Sequence, residues 1–233
     1  MSDRVAARLA ALGTEHGLDE PAVVALGVLL DVLAADEHAA TTVRDPTEAV
    51  DRHVADGLSG LTAPEIREAR TLVDVGTGIG VPALVLAAAR PELQVVAMDT
   101  VRRKVEWVAA TAERMGLQNV RTVHGRAEAW SAGRHRFDVV TARAVAPLGV
   151  LLEYAAPLLR PGGALVAWKG QLDDDESRTG RGAAKQLGMG EPRSQRVTPW
   201  PEARERRLVV SVKERPTPKG FPRKPGEARR RPL

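Results

Sequence analysis

Along the first part of the chain the apolar positions recur at helical spacing: Val5, Leu9 and Leu12, then Val23, Leu26, Leu30 and Leu33. This predicts helices over residues 3–12 and 20–35. His16-Gly17-Leu18-Asp19 supplies a stop and a cap between them, with Pro21 at a first helical position and Gly27 inside the second run. A polar turn over 41–46 leads to a third predicted helix, 46–58. From Leu72 the pattern changes to short apolar runs at 72–75, 94–98, 120–123, 137–142 and 164–168, which read as buried strands. Helix-compatible stretches follow at 81–89, 101–115 and 148–159, and Pro161-Gly162-Gly163 reads as a turn. A late strand at 208–212 is expected to be antiparallel. Alternating strand and helix predicts an α/β, doubly wound, mostly parallel sheet behind a helical extension. Residues 171–205 are the hardest to assign, and Asp173 to Glu176 reads as a solvated loop rather than a metal site.

Composition narrows the picture. At 233 residues the chain is long enough for one α/β domain with attachments, and it holds no cysteine, hence no disulfide framework and no thiolate zinc site. The N-terminus shows no basic-then-apolar signal pattern, and the most apolar segment, 22–35, is interrupted by Asp31. A cytoplasmic protein without membrane or metal partners is expected. Charge is uneven: residues 1–70 hold 6 Lys and Arg against 13 Asp and Glu, whereas residues 213–233 hold 8 against 2. The basic tail points to a polyanionic partner.

The chemistry concentrates at T-L-V-D-V-G-T-G-I-G-V-P, residues 71–82. Strand, glycine loop and helix follow one another there, as a nucleotide-binding crossover requires. The spacing is not G-x-G-x-x-G. It is Asp74, Gly76, Gly78 and Gly80, a D-x-G-x-G-x-G pattern that resembles the first motif of class I S-adenosylmethionine (SAM) methyltransferases. That cofactor carries a sulfonium and an amino-acid tail instead of phosphates, so an acid at the strand end suits it. A second acid, Asp99, lies 23 residues beyond Gly76, near the spacing at which a carboxylate accepts from both ribose hydroxyls. After the third strand, Glu128 or the neighbouring backbone offers an acceptor for an adenine amino group. Arg102, Arg103 and Lys104 begin a helix against its dipole, which hints at a use outside the helix.

Absences narrow the transfer. Methylation at carbon 5 of a pyrimidine needs a cysteine nucleophile. Amine methylation commonly uses an N/D-P-P-Y/F/W motif after the fourth strand, where T-A-R-A-V-A-P stands at 141–147. Ribose methylation expects an acid where Arg143 lies. A nucleophile that needs no deprotonation, such as guanine N7, is favoured. Arg143 and Lys169 suit guanine O6, N7 or a flanking phosphate. With two Phe, one Tyr and four Trp, base-stacking platforms are scarce, and Trp107, Trp130 and Trp168 serve equally as core.

Several further motifs occur in order. They are V-R-D-P (43–46), R-H-V-A-D-G-L (52–58), A-R-A-V-A-P-L (142–148), W-K-G-Q (168–171), E-R-R-L-V-V (205–210) and F-P-R-K-P-G (221–226), closing on R-R-P-L. With the glycine loop, they resemble the RsmG family, also called glucose-inhibited division protein B. One departure is Thr41-Thr42-Val43, where that family commonly has N-L-T. The resemblance implies a SAM-dependent enzyme that methylates N7 of one guanine in the decoding-region loop of 16S ribosomal RNA. It implies cofactor contacts at Gly76, Val81, Asp99, Ala127, Glu128 and Arg143, and RNA or target-base contacts at Arg126, Arg143, Lys169 and Arg206. His53 matches a family helix, with a buried hydrogen-bonded role expected. The implied organisation is a helical extension over 1–62, a methyltransferase domain over 63–213 and a basic tail over 214–233, whose phosphate contacts would be salt-sensitive. Two other readings stay open: a nicotinamide-dependent oxidoreductase, disfavoured by the spacing of Gly78 and Gly80, and an RNA-binding assembly factor that keeps SAM as a structural ligand.

Overall fold

The computed structural model describes residues 1–233. Seven strands form one sheet: β1 (Thr71–Val75), β2 (Gln94–Asp99), β3 (Val120–His124), β4 (Phe137–Arg143), β5 (Leu159–Lys169), β6 (Arg193–Val197) and β7 (Arg206–Val212). Their order is β3-β2-β1-β4-β5-β7-β6; β1 to β5 are parallel, and β7 runs antiparallel to both β5 and β6. The order reverses between β1 and β4, which opens a crevice at their carboxyl ends.

Alternation along the strands divides the core into two layers. Leu72, Val95, Ala97, Val139, Val166 and Leu208 face one layer with the N-terminal helices α1 (Asp3–His16) and α2 (Glu20–Ala35), and with α6 (Ala83–Ala89) and α7 (Arg102–Arg114). Val73, Val96, Met98, Val140, Leu165 and Val209 face the other, against α8 (Leu148–Ala155) and α9 (Asp174–Leu187). The helical extension therefore shares one core with the sheet. No helix is long and apolar enough to cross a membrane.

Several expectations are corrected. The single helix expected over 46–58 is α3 (Pro46–Ala49), a π-helical stretch (Val50–Ala55) and α4 (Asp56–Leu58), followed by a 3-10 turn (Ser59–Thr62) and α5 (Pro64–Glu68). Asp45 caps it by accepting from Thr47 N at 2.8 Å. The helix expected over 148–159 ends at Ala155, and Pro161-Gly162-Gly163 lies inside β5 rather than in a turn, where the β4 pairing shifts register. The stretch left unassigned, 171–205, holds α9 and β6. Asp173 is the N-cap of α9, accepting from Glu176 N at 2.7 Å, so the acids there start a helix.

The segment after α4 meets the sheet closely. Trp168, at the end of β5, donates from Nε1 to the carbonyl of Asp56 at 2.8 Å and presses its ring on Gly60. A Cβ at Gly60 would stand 2.5 Å from that ring. Gly60→Ala is expected to displace the indole and destabilise the protein by about 1–3 kcal/mol, as overpacking does. Denaturant unfolding of the variant checks this.

Candidate functional site

The crevice at the carboxyl ends of β1, β2 and β4 widens into a cavity of about 560 Å³. Its walls include Gly76, Asp99, Arg126, Ala127 and Glu128, all named from the sequence, together with Ala144, Val145 and Tyr154. The glycine loop is stitched to β2: the amides of Gly76 and Thr77 both donate to Met98 O, at 2.8 and 2.9 Å. Asp99 completes the bracket, Oδ2 accepting from Gly78 N at 3.1 Å and Oδ1 from Val101 N at 2.9 Å. Each oxygen takes one backbone donor and keeps a lone pair for a ligand. Asp99 thus closes β2, ties the glycine loop to the turn before α7 and also lines the cavity.

Gly76 has φ of 74°, and a Cβ there would lie 2.7 Å from a Val145 methyl. Glycine lets the two loops touch. Gly80 and Val81 lie apart from the cavity walls: a Cβ at Gly80 would meet Leu84 at 2.6 Å, and Val81 is buried in the core. Asp74 lies behind the loop, fully buried, with Oδ1 accepting from Thr141 Oγ1 at 2.7 Å. Its Oδ2 and the Thr77 hydroxyl lack a hydrogen bond of good geometry. Burial pushes the Asp74 carboxyl up to about 6, against the pull of neighbouring hydroxyls and of Arg143. A buried acceptor short of a donor, a backbone cradle that a side chain would fill and an acid beyond it fit the ammonium and ribose of SAM. Glu128 is also taken: its Oε1 accepts from Gly226 N at 3.0 Å, which brings the C-terminal segment into the wall.

Arg143, Lys169 and Arg206 gather where β4, β5 and β7 end side by side, at the far side of the 144–146 loop. Arg143 and Arg206 both face Asp56, with Nε to carboxylate distances of 3.3 and 3.5 Å. Asp56 is fully buried, and desolvation raises its pKa against the pull of the two guanidiniums. Arg143 also donates to Arg52 O at 3.0 Å. His53 is buried as expected, with Nε2 against Val43 O at 3.0 Å and Thr41 Oγ1 at 3.3 Å. Burial holds its pKa down. Thr41 therefore forms the junction at the point of departure from N-L-T. Arg206 lies over the Trp200 ring, 5.5 Å from its centroid. Lys169 is paired to Glu176 at 2.5 Å and donates to Ala146 O at 3.2 Å. Ala144, between these groups and the cavity, has φ of 55°, a left-handed conformation costing about 1–3 kcal/mol outside glycine.

Asp56 and Glu153 were absent from the sequence expectations. Both carried a signal: an acid within an apolar helical run, V-A-D-G-L and L-L-E-Y-A-A, is buried only when paired.

A family model described as rRNA small subunit methyltransferase G matches residues 30–197. A Deinococcus deserti protein named ribosomal RNA small subunit methyltransferase G is 42% identical over 94% of this chain and 92% of its own length. A Rubrobacter xylanophilus protein of the same name is 40% identical over 82% and 75%. Among solved structures, the S-adenosylmethionine-dependent methyltransferase SibL superposes with a TM-score of 0.60 at 18% identity, over 91% of this chain and 74% of SibL. The 16S rRNA (adenine(1408)-N(1))-methyltransferase of Catenulisporales acidiphilia gives 0.52 at 21% identity, over 69% and 93%. These two structures share the fold.

Two outcomes follow from the geometry. Asp56→Asn leaves two guanidiniums without their anion and is expected to cost about 3 kcal/mol or more in unfolding measurements. Asp74 binds its proton more tightly folded than unfolded, so its contribution to stability falls as pH rises from about 4 to about 6. Relative to Asp74→Asn, the parent protein should lose roughly 3 kcal/mol across that window, from the gap between 3.8 and about 6. Unfolding curves of both proteins at several pH values read this directly.

Proposed function

The chain belongs to the GidB family, the rRNA small subunit methyltransferases G, and from that premise we propose that it transfers a methyl group from SAM to N7 of a guanine in the decoding-region loop of 16S rRNA. One observation carries the reading. Asp99 and Glu128 stand in the cavity wall beside Lys104, Arg126, Arg229 and Arg230, and the strand ends across the 144–146 loop add Arg143, Lys169 and Arg206, with Asp56 held between two of them and Glu176 on the third. A crevice with cations on its target side suits a nucleophile that brings its own lone pair. Guanine N7 attacks the methyl carbon, the carbon–sulfur bond breaks toward sulfur, and the base leaves with a positive charge.

SAM supplies the methyl group already activated as a sulfonium, so the chain has to hold both reactants in line and exclude water. The free lone pairs of Asp99 receive the ribose hydroxyls. The Gly76 backbone would lie against the cofactor, and Asp74 would supply the anion behind the amino-acid tail. Arg143 and Arg206 hold guanine O6 or a flanking phosphate, because a cation at N7 itself would oppose the charge that forms there. Arg126, at the cavity wall, meets the RNA backbone. The guanine must leave its stack to reach this crevice. The substrate places the protein in the cytoplasm, where small subunits are assembled.

The test incubates the protein with labelled SAM and small subunits from a strain lacking this gene. Label should enter 16S rRNA, and borohydride–aniline cleavage should map it to a single guanine. Label absent from the RNA, or resistant to that cleavage, would overturn the assignment. Asp99→Ala should weaken SAM binding roughly ten- to hundredfold through loss of charge-assisted hydrogen bonds. An unchanged dissociation constant in calorimetry would remove Asp99 from the site.

A further inference from the structure

The basic tail reads from its composition as a solvated arm for phosphate, yet Arg223 and Arg229 are bonded to the body of the protein. Glu153 is only 1% exposed, within the apolar helix α8. Arg223 meets it with its whole fork, Nε at 2.9 Å from Oε1 and Nη2 at 2.5 Å from Oε2, while the Arg223 amide donates to Oε1 at 3.1 Å. A planar guanidinium on a buried carboxylate is the strong form of this pair. Breaking it leaves an uncompensated charge in the core, so Glu153 dictates where the tail lies. Arg223 Nη1 then donates to Arg231 O at 2.9 Å, which closes the segment into a loop with Ala228 buried inside it.

The loop reaches both sides of the cavity. Gly226 N bonds Glu128, in the connection after β3. Arg229 Nη2 donates to Val145 O at 2.9 Å, in the connection after β4. Val145 is the residue pressed on Gly76, and it follows the left-handed Ala144. Gly226, Arg229 and Arg230 stand in the cavity wall.

We propose that residues 221–231 form a strap that walls the nucleoside end of the cofactor site, with Arg223 as its positioning residue through Glu153. The proposal rests on the cofactor reading above. In this arrangement the strap keeps Glu128 shielded and holds the strained 144–145 turn against the glycine loop, so it acts on cofactor affinity before any RNA arrives.

SAM binding to full-length protein, by calorimetry and by stopped-flow dissociation, tests it on Arg223→Ala, Arg223→Lys and Arg229→Ala, with circular dichroism as the check on folding. Arg223→Ala should raise the SAM dissociation constant roughly tenfold, or about 1.4 kcal/mol, mainly through faster release. Arg223→Lys should recover part of that, since it keeps the charge and loses the fork. Arg229 is exposed, so Arg229→Ala keeps the fold and decides the matter if Arg223→Ala does not fold. Its SAM affinity should fall by about threefold, a change near 0.65 kcal/mol. Unchanged SAM affinity in the folded variants, with only the KM for RNA raised, would overturn the strap and restore the phosphate arm. A parent protein that binds no SAM would instead remove the cofactor reading, and this proposal with it.

Discussion

A carboxylate taken out of water must meet positive charge or lose its own, and Asp56 is fully buried at the join between the helical extension and the sheet. Two guanidiniums answer it, one from the end of β4 and one from the start of β7. The backbone carbonyl of the same residue receives the indole of Trp168 from β5. Three neighbouring strands are thereby referred to one residue of a helical segment. Desolvation offsets most of the Coulomb gain in such a cluster, so its value lies in placement more than in stability. Without it, Arg143 would keep only Arg52 O and the His53 ring, and Arg206 only the Trp200 ring, at the mouth of the crevice.

That placement extends to the 143–146 turn, which separates the cavity from the cationic strand ends. The turn holds an alanine in a left-handed conformation, and it is gripped along its length: Arg143 by Asp56, Val145 O by Arg229 and Ala146 O by Lys169. Strain of this kind persists only where surrounding contacts over-determine the backbone. The helical extension, the sheet and the C-terminal segment each supply one of those contacts. A shift in any of them is felt at Val145, hence at Gly76 and the cofactor cradle.

The sheet itself says little about substrate, since the solved methyltransferases that superpose on it share under a quarter of their residues with this chain. What distinguishes this protein is what covers the sheet's carboxyl edge. The N-terminal helices bring an acid to orient two arginines, and the C-terminal segment brings a backbone amide and an arginine to the opposite loops. The reaction proposed here asks for alignment and dryness, and both covers serve those ends.

The sequence by itself determined the parts governed by neighbours along the chain. β1, its glycine loop and Asp99 were legible because a buried parallel strand is a short apolar run, and because turn and ligand contact both demand glycine at fixed offsets. Gly76, Gly78 and Asp99 form one bracket for that reason, with Asp74 buried behind it. Tertiary structure alone decided the rest. β6, R-S-Q-R-V, has no apolar alternation and exists as a strand because β7 offers it a hydrogen-bonding edge. α9 carries two glycines and buries only a narrow face of Gly180, Ala183, Ala184 and Leu187, so its apolar signal is faint. Pro161-Gly162-Gly163 spells a turn, yet pairing with β4 and β7 draws the chain on either side into one strand. The fate of Arg143, Arg206 and Arg223 was invisible locally, because an arginine's role is set by the acid it meets. Asp56 lies 87 residues before Arg143, and Glu153 lies 70 before Arg223. Only the folded chain brings such charges together, and only burial makes their meeting obligatory.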